Sequence, residues 1–93
     1  MNLKDLINDK NTTIVDVRTE VEFNSGNIEG SINIPLDEVL DRVEELKAMQ
    51  PIIMCCLSGG RSGQATAYLK SSGCEDVYNG GGWEMVSSQK EIK

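Results

Sequence analysis

The chain of 93 residues predicts an α/β fold, a three-layer domain with a mainly parallel sheet of about four to five strands and helices on both faces. Short apolar runs rich in β-branched residues alternate with segments of helical spacing along the whole chain, the pattern of a layered α/β domain. The run Pro51 to Cys55 has no polar alternation, as a strand covered on both faces requires. No repeat or low-complexity stretch interrupts the pattern, and the length suits one hydrophobic core but not two. A single domain over 1–93 is therefore expected, with its core over about 3–86 and a frayed tail over 87–93.

Leu3, Leu6 and Ile7 have helical spacing and predict a short first helix ending near Asn11. Thr12 to Val17 reads as a buried strand, and Thr19 is an N-cap for a helical turn through Glu20, Val21, Glu22 and Phe23 that Gly26 closes. Ser31 to Ile34 is a brief strand stopped by Pro35. Leu36, Val39, Leu40, Val43 and Leu46 then recur at helical spacing with acidic residues outside, which predicts one continuous helix. After the Pro51 to Cys55 strand, Ser62 to Leu69 predicts a helix ended by Gly73. Asp76 to Asn79 is the last strand, and Gly80, Gly81 and Gly82 lead to a terminal helical turn with Trp83, Met85 and Val86.

Composition narrows the chemistry. A net charge of −6 argues against nucleic acid and anionic membranes, so an anionic substrate must be drawn by a local field. No apolar run reaches membrane-spanning length, and Met1 to Asp5 does not read as a signal sequence. Three cysteines, two of them adjacent, make no disulfide framework, so free thiols and a reducing cytoplasm are expected. Histidine is absent, which removes the commonest general base and any Cys-His dyad. The cysteine spacings match no closed zinc site, and neither a metal nor another cofactor is expected.

The chemistry-bearing stretch is Cys56-Leu57-Ser58-Gly59-Gly60-Arg61-Ser62, placed where a strand ends and a helix begins. In an open α/β sheet ligands sit at such carboxyl ends. Two glycines let the backbone turn its N–H groups inward, and the helix start adds a positive dipole end, a setting for a thiolate and an anion together. The plain alternative is a glycine turn after a buried cysteine. Arg61 and Ser62 at the far end favour the anion-holding reading, because a cation at a helix start opposes the dipole unless it has an anion to bind. Arg61 would orient the loop through its planar fork or meet an anionic donor directly. Ser58 and Ser62 would hydrogen-bond the sulfur or cap the helix.

Ile14 to Arg18 followed by Glu22 and Phe23, then Gly26 to Pro35, Cys56 to Ser62 and Val77 to Trp83 resemble the successive signatures of single-domain rhodaneses. The likeness runs from about Leu3 to Val86 with its elements in the family's order. It implies a rhodanese-like domain that moves sulfane sulfur from thiosulfate or a persulfide donor to cyanide or a thiol through a persulfide on Cys56. Leu57, Ser58, Gly59, Gly60, Arg61 and Ser62 would form the substrate-binding loop. Arg18 would be a buried structural arginine or an anion-binding one, with the structural role favoured, and Glu22 would pair with that nearby arginine. Asn27 stands where the family often has histidine. Leu57 is apolar where many thiosulfate-using members carry a basic or polar side chain.

Two further readings belong to other classes. Counted from Cys55, the loop to Arg61 and Ser62 has seven residues and resembles the signature of cysteine-dependent phosphatases and arsenate reductases, with Asp16 or Asp76 the available carboxylates. The rhodanese register instead leaves Cys55 as an apolar residue of the strand, and Cys74 also reads as core rather than a resolving thiol. A persulfide relay to a sulfur-accepting protein would use an apolar rim formed by Leu57 and Trp83, and a non-catalytic interaction module is a further reading. The acidic helix around Glu44 and Glu45 reads as a solvated face.

Overall fold

A computed structural model describes residues 2–91. Four strands, β1 (Thr13–Asp16), β2 (Ile32–Asn33), β3 (Ile52–Cys56) and β4 (Val77–Gly82), form one parallel sheet in the order β2-β1-β3-β4. The helices are α1 (Leu3–Ile7), α2 (Glu20–Asn24), α3 (Leu36–Val39), α4 (Val43–Lys47), α5 (Gly60–Ser71) and α6 (Trp83–Gln89). The expected layered α/β architecture is present.

Side chains alternate across a strand, so β3 feeds two cores. Ile52, Met54 and Cys56 join Val15, Val17, Ile34, Val39, Leu46, Ala65 and Leu69 under α3, α4 and α5. Ile53 and Cys55 join Ile7, Ile14, Ile28 and Val86 under α1 and α6. β3 is buried at every residue, which explains its unbroken apolar run.

The single helix expected over Leu36 to Leu46 is instead two. Bonds of the i→i−3 type from Asp41 N–H to Glu38 and Arg42 N–H to Val39 tighten the end of α3, and Arg42 leaves helical geometry at φ −123°. Leu40 is consequently 56% exposed while Val39 and Leu46 both reach the core. The last strand is longer than expected. β4 runs through the glycines with a bulge, so that Met54 faces Asn79 and Cys55 faces Gly81. The final helix continues through Ser87 to Gln89, where Asn8 donates its side-chain amide to the Gln89 carbonyl and accepts from Glu91 N–H. Of the expected frayed tail, Ile92 and Lys93 lie outside the described residues.

Candidate active site

Cys56 is the last residue of β3, and α5 begins four residues later at Gly60. The chain makes that turn through Gly59 at φ +105°, a left-handed conformation that side chains resist. The loop also passes so close to β4 that a Cβ on Gly82 would lie 2.9 Å from the Leu57 carbonyl oxygen, so glycine is required there. These two constraints wrap the backbone around the sulfur. Gly59 N–H donates to Cys56 Sγ at 3.0 Å and Ser62 N–H at 3.4 Å, with the Ser62 hydroxyl oxygen 3.4 Å away.

Burial alone would push the Cys56 thiol up, but the Ser62 hydroxyl and the N–H groups of Ser62, Gly59 and Ser58 together outweigh it, and the thiol is lowered. Leu57 and Ser58 form the exposed side of the loop and Gly60 its exposed corner. Ser62 is the third residue of α5, whose cap position is Gly59, so its contacts are with the sulfur and with Asn79.

Arg61 points its two terminal nitrogens at the Glu22 carboxylate, 2.7 and 3.0 Å away, in a bidentate pair. Thr19 supports the same carboxylate through a capping box at the start of α2. The Arg61 hydrogen bond, followed by the Thr19 N–H, holds Glu22 down at about 2. This corrects the expected pairing of Glu22. Arg18 donates to Glu22 only at the main-chain carbonyl, while the carboxylate reaches across to Arg61 in the loop after Cys56.

Arg18 is buried and spends its donors inside the fold. It grips Asp16 through Nε and Nη2 at 2.8–3.0 Å and donates to the Gly26 carbonyl at 2.7 Å. Trp83 stacks on this guanidinium, 4.7 Å from ring centroid to the charge, and its ring lies against Gly26. Of the two residues expected to form an apolar rim, Leu57 is 59% exposed and Trp83 covers the ion pair. Cys55 is fully buried in the opposite core, where burial first and the Asp16 charge second push its thiol up to about 12. The seven-residue register consequently has no thiol in the loop. Asp16, one of its two candidate acids, is held by Arg18. Cys74 is also fully buried, among Leu46, Leu69 and Val77.

Sequence reasoning missed Asn79. Its Oδ1 accepts from the Ser62 hydroxyl at 2.6 Å and from Gly81 N–H at 3.0 Å, and its Nδ2 donates to the Gly59 carbonyl at 3.1 Å. The available signal was a polar amide next to three glycines at the end of a strand.

A parallel α/β sheet that delivers a cysteine into a short loop of inward N–H groups defines the class. The chain belongs to the rhodanese family, and the Rhodanese-like domain matches residues 2–89. It is 38% identical over 66 residues to the uncharacterized protein YqhL of Bacillus subtilis (strain 168), spanning 71% of this chain but only about half, 52%, of YqhL. It is 31% identical over 80 residues to the thiosulfate sulfurtransferase GlpE of Pseudomonas syringae pv. syringae, spanning 85% of this chain and 76% of that protein. The solved structure of a rhodanese with anions from E. coli superposes with a TM-score of 0.71 at 31% identity, over 80% of this chain and 89% of that one.

Proposed function

We propose that this protein carries sulfane sulfur on Cys56, taking it from thiosulfate or a persulfide donor and passing it to cyanide or a thiol, in the cytoplasm. The observation that carries the reading is the ring of main-chain N–H groups around Cys56 Sγ, which stabilises negative charge on that sulfur before loading and can hold the charged outer sulfur of the persulfide afterwards. The Cys56 thiolate attacks the outer sulfur of thiosulfate and forms the S–S bond of a persulfide. The original S–S bond breaks, and sulfite leaves with its electron pair. Sulfite needs no proton to depart, which suits a chain without histidine. A second thiophile then takes the outer sulfur and regenerates the thiolate.

Leu57, Ser58, Gly59, Gly60, Arg61 and Ser62 form the substrate-binding loop in this reading, and Arg61 acts by tying the loop to Glu22. With both terminal nitrogens of Arg61 engaged and Leu57 at the exposed edge, an organic persulfide, free or on a protein, suits the loop as well as thiosulfate does. Arg18 serves structure. Intact mass after brief exposure of the reduced protein to thiosulfate, and separately to a small organic persulfide, tests the proposal. One added sulfur atom, removable by cyanide and absent in Cys56→Ser, is expected. No gain from either donor would overturn it.

A further inference from the structure

The amide of Asn79 cannot be turned around, because a flip would set its NH2 against Gly81 N–H and its oxygen against the Gly59 carbonyl. Oδ1 therefore faces Ser62. An amide oxygen has no proton, so the 2.6 Å contact means that the Ser62 hydroxyl donates to Asn79. A hydroxyl has one proton. While Asn79 holds it, Ser62 Oγ can only accept from Cys56 across their 3.4 Å separation, and this arrangement fits the thiol rather than the thiolate.

We propose that Asn79 is a positioning residue for Cys56: by accepting the only proton of the Ser62 hydroxyl it keeps that proton off the sulfur and restrains thiolate formation. On ionisation the S–H bond breaks, the proton leaves to solvent and the sulfur keeps the electron pair. The Ser62 O–H then swings from Asn79 to Sγ, and Asn79 Oδ1 keeps its bond to Gly81. Asn79 thus sets how reactive the sulfur is at a given pH without touching it. The inference rests on Cys56 being the reactive thiol of the proposed function, but its test needs no sulfur donor.

The charged and titratable groups around the sulfur are Arg61 of α5 with Glu22 of α2, the paired Asp16 and Arg18 at the end of β1, and the Cys55 thiol of its own strand. β4 brings the uncharged Asn79. Substitutions at Asn79 and Ser62 leave every one of these charges in place, so a double-mutant cycle isolates the hydroxyl proton.

The experiment measures the rate of iodoacetamide alkylation at Cys56 across pH, read by peptide mass, in the intact chain and in Asn79→Ala, Ser62→Ala and the double variant. Asn79→Ala is expected to raise the apparent ionisation constant of Cys56 by about two- to tenfold, the range a single hydrogen bond spans. In the Ser62→Ala background the same change should do nothing. A purely structural role predicts the opposite sign, because leaving the Gly59 carbonyl held by Gly63 N–H alone would loosen the loop and the N–H that Gly59 gives to sulfur. A shift of ionisation to higher pH, no shift, or equal shifts in both backgrounds would overturn the proposal. Asn79→Asp provides a second route that keeps the acceptor for Ser62 and Gly81. It should move ionisation to higher pH, and further with Ser62 present than with Ser62→Ala, and equal movement would again overturn it. If sulfur loading failed while the cycle held, the proton device would stand and the donor chemistry alone would fall.

Discussion

Cys55 turns its thiol into the core under α1 and α6, where it is pushed up to about 12, while the next residue, Cys56, turns its thiol to the other face of the sheet and is lowered. Both residues are essentially inaccessible, at 0% and 1% exposure, so burial does not separate them. Donors do. Around Cys55 stand Ile7, Ile14, Ile28 and Val86 with the Asp16 charge nearby, and none of these stabilises a thiolate. Around Cys56 the chain has just left the sheet, so N–H groups no longer consumed by a ladder are free to turn inward. The sheet's two-residue period selects which cysteine reaches the loop.

The largest effect expected is in loading. Cys56→Ser should abolish sulfur gain, and Cys55→Ala should retain it within about twofold, because no group of the loop touches Cys55. Intact mass after a sulfur donor reads both. Loading lost in Cys55→Ala and kept in Cys56→Ser would invert the comparison.

Alkali should separate the two cysteines next. Because the Cys55 thiol is raised in the fold, its contribution to stability is complete below the ordinary thiol value of 9.0 and is lost as pH rises toward about 12. In that window the unfolded chain ionises and the folded chain does not, so stability falls by up to about 1.4 kcal/mol per pH unit. Urea unfolding of wild type and Cys55→Ala at a series of alkaline pH values should show a steeper slope in the wild type, because the Cys74 thiol, also pushed up by burial, contributes equally to both.

Serine substitutions sharpen the contrast at neutral pH. Cys55→Ser places a hydroxyl among aliphatic side chains and should cost about 1–3 kcal/mol of stability by denaturant unfolding. Cys56→Ser should cost less, since the new hydroxyl inherits the N–H groups of Gly59 and Ser62. Equal losses would mean that the ring of donors does not discriminate between the two positions.

Much of this was legible in the sequence, and the reasons differ by element. β-branched runs located β1 and β3, because burial on both faces leaves an unbroken apolar stretch, while β2 and β4 were marked by short apolar runs beside Pro35 and the glycines. The glycines marked a loop after β3, and the choice of six residues from Cys56 over seven from Cys55 came from the resemblance. The break between α3 and α4 was not, since Leu40 continues the helical spacing and only packing decides that it faces water. The partner of Glu22 was equally hidden. Two arginines, Arg18 and Arg61, stand four and thirty-nine residues away, and the resemblance pointed to the nearer one while the fold delivers the farther. Asn79 escaped notice because its role depends on the bulge that brings it beside Ser62 and Gly59.

The smallest effect lies at the rim of the site and concerns acid. Glu22 is held at about 2 in the fold, below the ordinary carboxylate value of 4.5, by the Arg61 fork and the Thr19 N–H. A depressed carboxyl stabilises the fold fully above its unfolded value and loses that contribution as pH falls through its folded one. The loss should therefore fall between about 4.5 and 2. It should be modest, since the pair is about one-third exposed and solvent screens it. Glu22→Gln should flatten the acid limb of a thermal-stability profile in that window while leaving the alkaline limb, set by the buried thiols, unchanged. An acid limb unchanged by Glu22→Gln would show that the pair does not tie Arg61 in solution, and the N–H ring around Cys56 would then hold its shape through Gly59, Ser62 and Asn79 alone.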